Sequence, residues 1–315
     1  MKIVITGGQG FLGQRLAKTL LQQEKVMVDE LILVDINEPI IPNQDKRVRS
    51  IKMDLRSEES IKEVITKDVD AIFHLAAIVS SHAEEDPDLG YQINFLSTRN
   101  LLERCRVVNP KIRFIFSSSL AVYGGDLPAL IEDKTAVMPQ STYGSQKAMC
   151  ELLINDYARK GFVDGIVLRL PTICIRPGKP NKAASSFVSG IIREPLTGEV
   201  ANCPVDKSLA LWLSSPDTVI ANFIHALSLP PLDARDWHVI NLPGFTITVE
   251  AMLQELAHIK GEDILKKVTY QVDSKINDIV ASWPAKIDIV RALSLGFCVD
   301  NHFADVIHQF INKDL

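Results

Sequence analysis

Three side chains in this sequence could carry a redox reaction on an alcohol: Ser119, at the end of an apolar run, and Tyr143 and Lys147, four residues apart. On a helix that spacing puts a phenol and an ammonium on one face, one turn apart. A neighbouring cation favours the phenolate, so the tyrosine pKa is expected to fall from ~10 toward neutrality. Such a phenol can take the proton of a substrate alcohol while a nicotinamide takes the hydride. The Ser119 hydroxyl both donates and accepts, and can orient the alcohol and the developing carbonyl. Tyr-x-x-x-Lys alone is common in helices. What precedes it here gives it weight.

The chain opens with the apolar strand Lys2-Ile-Val-Ile-Thr6, runs into Gly7-Gly-Gln-Gly10-Phe11-Leu12-Gly13, and continues as an amphipathic helix. Strand, glycine turn and helix form the context that dinucleotide binding requires. Gly7 permits the tight turn, Gly10 lets backbone approach a pyrophosphate, and Gly13 lets helix and strand pack closely. The helix N-terminus then offers unpaired N–H groups to the phosphates. The spacing is Gly-x-x-Gly-x-x-Gly instead of Gly-x-Gly-x-x-Gly. Asp35, ending the strand Leu31–Asp35, is the acid expected to accept from the adenosine ribose hydroxyls. Its charge repels a 2′-phosphate, and Ile36, Asn37 and Glu38 supply no basic clamp, so NAD is expected, with NADP the second choice.

The remaining composition excludes several classes. A net charge of −5 leaves no basic footprint for nucleic acid or an anionic membrane. No apolar run approaches the ~20 residues of a membrane span, and the N-terminal apolar segment is too short for a signal peptide. Five scattered cysteines without Cys-x-x-Cys pairs argue against zinc or a disulfide framework and for a reducing cytoplasm. A small-molecule substrate is the expected partner.

Strands alternating with helices predict an α/β fold, a doubly wound parallel sheet. Strands are expected at Arg49–Met53, Ala71–Ala77, Arg113–Phe116 and Gly165–Leu170, with helices at about Ser57–Thr66, Asp88–Val108 and Tyr143–Arg159. Ala83–Asp88 reads as a solvated acidic loop. Past Leu170, prolines 171, 177, 180, 195 and 204 suggest a loop-rich stretch with short helical pieces. A helix near Asp217–Leu227 and a strand near Trp237–Leu242 could return to the main sheet. Thr246 to Leu315 reads as further helices with a short strand near Lys267–Val272. This divides the chain into a Rossmann domain at 1–171, with a return segment near 215–243, and a smaller α+β substrate region at 172–315.

Gly-x-x-Gly-x-x-Gly, Asp35, Met53-Asp54-Leu55, His74-Leu75-Ala76-Ala77, Asn94, Ser117-Ser-Ser119-Leu-Ala-Val-Tyr-Gly and Tyr143-Gly-Ser-Gln-Lys147 together resemble the extended short-chain dehydrogenase/reductases. The resemblance implies that Ser119, Tyr143 and Lys147 are the catalytic set. It implies that Asp54 and Leu55 border the adenine, that Leu75, Ala76 and Ala77 line the NAD trough, and that Pro171 and Thr172 lie beside the nicotinamide. By analogy with the superfamily's dimer face, a homodimer is also implied. The stretch from Arg169 to Phe187, followed by Arg193-Glu-Pro-Leu, resembles the branch that oxidises a four-carbon sugar acid at C2.

A sugar acid needs its carboxylate held, which arginine does bidentately. Arg176 is the candidate, with Asn181, Lys182 and Ser185 or Ser186 completing a polar cage and a surface arginine as the competing reading. Ser80 or Ser81 is expected at substrate hydroxyls, and His82 in solvent. His74 reads as a satisfied core histidine, Ser117 and Ser118 as structural, and Arg169 as one half of an ion pair. Two other functions share this sequence pattern: a nucleotide-sugar epimerase that keeps its NAD bound, and a non-catalytic NAD-binding subunit. Leu120 and Ala121 stand where dehydratases of the superfamily carry acids, and neither can move a proton.

Overall fold

Neighbouring residues of the first strands point to opposite sides of one sheet, and both sides are apolar. Ile3, Ile5, Leu31, Leu33 and Phe73 enter one core, whereas Val4, Ile32, Val34 and Ile72 enter the other. Such strands must be covered on both faces, and helices cover them. The computed structural model describes residues 1–179 and 183–315.

The strands are β1 (Lys2–Thr6), β2 (Glu30–Asp35), β3 (Val48–Lys52), β4 (Ala71–His74), β5 (Arg113–Ser119), β6 (Asp164–Leu170), β7 (Thr172–Ile173), β8 (Ala201–Cys203), β9 (Ala210–Ser214), β10 (Val239–Asn241), β11 (Phe245–Thr248) and β12 (Val268–Tyr270). The helices are α1 (Phe11–Gln22), α2 (Glu58–Val64), α3 (Ser80–Glu85), α4 (Pro87–Gly90), α5 (Ser97–Val108), α6 (Thr142–Arg159), α7 (Ser186–Thr197), α8 (Pro216–Ser228), α9 (Val249–Lys260), α10 (Ser274–Ala281), α11 (Val290–Ser294) and α12 (Phe303–Lys313). Seven strands form the main sheet in the order β10-β6-β5-β4-β1-β2-β3, all paired in parallel. The order reverses between β1 and β4, and the carboxyl ends there are where ligands of open α/β sheets bind.

The expected long helix is continuous from α4 to α5 but widens into a π-turn at Tyr91–Leu96. β10 joins the main sheet beside β6. Val219, Ile220 and Phe223 of α8 share one core with Leu16 and Leu20 of α1, so the late helix covers the same face as the first.

Four local expectations are corrected. The strand at Ala71 stops at His74, because from Leu75 the chain bends across Gly7, and Ala76 N–H donates to the Thr6 hydroxyl at 3.4 Å. The acidic loop begins as α3, with Ala83 buried beneath its charged face. The proline-rich stretch after Leu170 contains β7, β8, β9 and the 12-residue α7. Pro195 lies inside α7 three residues before the left-handed Gly198 that ends it, and Pro204 follows β8. A strand at Phe245–Thr248, read from sequence as helical surroundings, pairs antiparallel with β9.

Candidate active site

The glycine cradle is built by close backbone approach. Gly7 has φ of 73°, and a Cβ there would lie 2.8 Å from Ala76 N. A Cβ on Gly13 would run into the Gly7 carbonyl oxygen. α1 starts immediately after Gly10 with no side-chain cap and no acid in its first turn. Its first N–H groups are therefore left for an anion. Asp35 stands beside this loop, its Oδ2 accepting from Gln9 N at 3.1 Å. A dinucleotide fits these residues: the cradle has room only for backbone, the helix end calls for phosphate, and the carboxylate suits ribose hydroxyls. If Asp35 sits at the ribose, Asp35→Ser should relax the preference for NAD over NADP, chiefly through KM. Comparison of kcat/KM with both cofactors checks this, and a wild-type preference for NADP would refute the placement.

Ser119 ends β5 and caps the 3₁₀ turn Leu120–Val122, its Oγ accepting from Ala121 N at 3.1 Å. α6 begins opposite it. Ser141 caps that helix by accepting from Gly144 N at 3.1 Å. A Cβ at Gly144 would collide with the Ala121 carbonyl. Glycine at 144 thus lets the helix end close on the turn and brings Tyr143 to the same cleft wall as Ser119. One turn on, Lys147 is 2% exposed, donates from Nζ to the Ser117 carbonyl at 2.7 Å, and lies 5.6 Å from the Tyr143 ring centre.

The expected acidification of Tyr143 is not found. Burial pushes its phenol up to about 12, against the opposing influence of the nearby Ser119 hydroxyl. Burial likewise lowers Lys147 to about 8. The ammonium is turned to the Ser117 carbonyl, and desolvation of the phenolate dominates at Tyr143. Tyr143 accordingly rests as a neutral phenol at pH 7.

Behind the site, α6 is locked to the sheet. Glu151 pairs with Arg169 at 2.6 Å and accepts from Ser118, while Arg169 also donates to Tyr123, which donates to Asn241 at 2.9 Å. Ser118 and Arg169 therefore serve structure, as their sequence context suggests, and Ser117 donates to the His74 carbonyl at 3.1 Å. His74 is a core group: its ring bonds Thr6 at 2.6 Å and Thr98 at 2.9 Å, and burial pushes it down to about 3, so it is neutral.

A cleft of about 390 Å³ runs from the glycine cradle to the reactive trio. Gly7, Gly10, Phe11, Leu12, Gly13, Leu75, Pro171 and Thr172 line it, as do Ser80, Ser119, Tyr143, Arg176 and Ser185. Lys147 lies beneath its floor. Ala76 and Ala77 are outside the lining, and Ala76 instead meets the cradle by backbone. Asp54 also lies outside it, paired with Arg56 at 2.5 Å, and Leu55 is buried in the sheet core. Neither is drawn into this cleft, because the β3–α2 turn that carries them lies at the far edge of the sheet. His82 is exposed, Ser81 does not line the cleft, and Ser186 opens α7. Asn181 and Lys182 lie outside the described residues. Sequence reasoning missed Val79, Ile173 and Trp283 in the lining, since a single apolar residue in a loop or in a two-residue strand carries no spacing signal.

The sequence profile of the NAD dependent epimerase/dehydratase family matches residues 3–222. Over 315 residues, all of both chains, the protein is 68% identical to a D-erythronate dehydrogenase of Haemophilus influenzae. It is 46% identical to one of Cupriavidus necator, covering 99% of this chain and 98% of that one. Among solved structures, a nucleoside-diphosphate-sugar epimerase from Agrobacterium tumefaciens superposes with a TM-score of 0.94 at 37% identity, covering 100% of this chain and 94% of the other. With its glycine cradle, parallel sheet and Ser–Tyr–Lys constellation, this chain belongs to the NAD-dependent epimerase/dehydratase family, the extended short-chain dehydrogenase/reductases.

Proposed function

We propose that this protein is an NAD-dependent dehydrogenase that oxidises the C2 hydroxyl of a four-carbon sugar acid, converting D-erythronate to 2-oxo-tetronate. The observation that carries this reading is one cleft in which Ser119 and Tyr143 face a dinucleotide cradle while the Arg176 side of the wall offers a guanidinium. Full-length likeness at 68% identity to a D-erythronate dehydrogenase supports the same substrate class.

NAD held in the glycine cradle supplies the hydride acceptor. Residues 1–171, with the return through α8 and β10, would hold it, and the cleft walls beyond Leu170 would hold the acid. Arg176 binds the carboxylate and so places C2 over the reactive trio. Ser119 orients the C2 hydroxyl and stabilises the carbonyl oxygen that develops from it. Tyr143 takes the hydroxyl proton through its phenolate Oη as the C–H bond breaks. Lys147, charged below about pH 8, lowers the cost of that phenolate. Leu120 and Ala121 leave no second acid–base pair beside C2, which suits simple oxidation.

The purified protein should generate NADH from added NAD with D-erythronate, followed by absorbance, and yield the 2-oxo acid in equal amount. An epimerase would give no net NADH with any sugar acid and would convert a UDP-sugar with its NAD retained. That pattern would overturn the reading.

A further inference from the structure

Among the described residues lining the cleft, all but one come from the first 185 positions; the exception is Trp283. The rest of the lining beyond the glycine cradle mixes smaller apolar side chains, Val79, Leu170 and Ile173 among them, with polar ones such as Ser80, Ser119 and Ser185. The indole of Trp283 is the largest side chain on this wall, and it is supplied from the C-terminal part of the chain.

That wall is fixed from both sides. The segment carrying it is pinned to the C-terminal lobe, where Thr246 Oγ1 donates to the Ala285 carbonyl at 2.6 Å. It is pinned to the sheet side by Ile131, whose N–H donates to Lys286 at 3.0 Å and whose carbonyl accepts from Asp288 at 2.7 Å. Trp283 itself packs against two apolar clusters: that of the C-terminal lobe, and a junction cluster containing Tyr123, Ile131, Trp212 and Ile287. An indole held in this way cannot swing aside at low cost.

We propose that Trp283 is a specificity-determining residue that sets the upper chain length of the sugar acid. The inference rests on the sugar-acid reading above. With the carboxylate at Arg176 and C2 at Ser119 and Tyr143, the tail of the substrate must find room within what Trp283 leaves. Each added CH(OH) of a longer acid would press a hydroxyl on the apolar indole face and strip it of water without a replacement partner.

The test is kcat/KM for C2-hydroxy sugar acids of four, five and six carbons with wild type, W283F, W283L and W283A. One carbon in a pocket changes discrimination by about 10- to 200-fold. The six-carbon to four-carbon ratio should therefore rise at least about tenfold in W283A and W283L and stay near wild type in W283F. Equal losses at every chain length in W283L would overturn the proposal and leave Trp283 as packing alone. W283L shortens the side chain but keeps a branched apolar group against both clusters, so it decides the matter if W283A fails to fold. If wild type oxidises none of the acids at any length, the functional reading itself fails, a result distinct from an unchanged length preference in an active enzyme.

Discussion

Tyr143→Phe is expected to lower kcat for alcohol oxidation by about two orders of magnitude or more, with the Kd for NAD nearly unchanged. The substitution removes one oxygen from a ring that stays packed at the start of α6, so the cradle and Ser119 are left in place. Only the proton acceptor is lost. The same assignment fixes the pH dependence of the wild type. A phenol pushed up to about 12 holds its base form as a minor species at neutral pH, and that fraction grows with every unit of pH. Lys147 works in the opposite sense, because above about 8 it loses the charge that stabilises the phenolate. Oxidation, as kcat/KM, should therefore climb from pH 6 and flatten near pH 8. In Tyr143→Phe the residual rate should lose the climbing limb. Turnover comparable to wild type in this variant, measured beside NAD binding, would remove Tyr143 from the mechanism.

The residues that could be read from sequence are those whose chemistry demands a fixed spacing. Gly7, Gly10 and Gly13 are set by how near backbone must come to backbone, and Tyr143 and Lys147 by the pitch of a helix. The alternating strands were equally legible, since Val4 and Ile5 must face different cores and both faces are apolar. What sequence misjudged was energetic. A lysine one turn from a tyrosine suggests an acidified phenol, yet burial acts on both groups, and the Lys147 ammonium gives one of its three donors to the Ser117 carbonyl. Close approach was equally hidden: nothing in the type of residue 144 says that the Ala121 carbonyl will stand against it.

The stretch after Leu170 was harder for a different reason. Its strands are three to five residues long apart from the two-residue β7, and each pairs with a partner far away in sequence, such as β8 with β12. Short apolar runs between prolines carry too little periodicity to name a strand. Tertiary pairing supplies what local pattern lacks. Trp283 belongs to the same problem, because its place in the cleft depends on Ile131 and Thr246 holding its segment across the junction.

Arg176→Ala should reduce kcat/KM for the four-carbon acid by about 30- to 1000-fold, the ~2–4 kcal/mol expected for losing a charge-assisted bidentate pair in a sheltered site. Burial disfavours the Arg176 guanidinium, and the nearby Arg193 acts in the same direction against the opposing Cys174. A substrate carboxylate is the charge complement of this guanidinium. The backbone there is held independently of that charge: Arg176 N–H donates to Ser189 Oγ at 3.0 Å, and Arg193 donates to the Arg176 carbonyl at 2.6 Å. Truncating the side chain should leave the loop in place and cost binding first. Arg176→Lys should recover only part of the loss, since an ammonium cannot reproduce the planar fork. The decisive comparison is between the acid and its neutral amide. If Arg176 holds the carboxylate, the variant loses activity on the acid far more than on the amide, and wild-type preference for the acid shrinks accordingly. Equal losses on both would place Arg176 in the scaffold of the cleft and return the carboxylate to another cation.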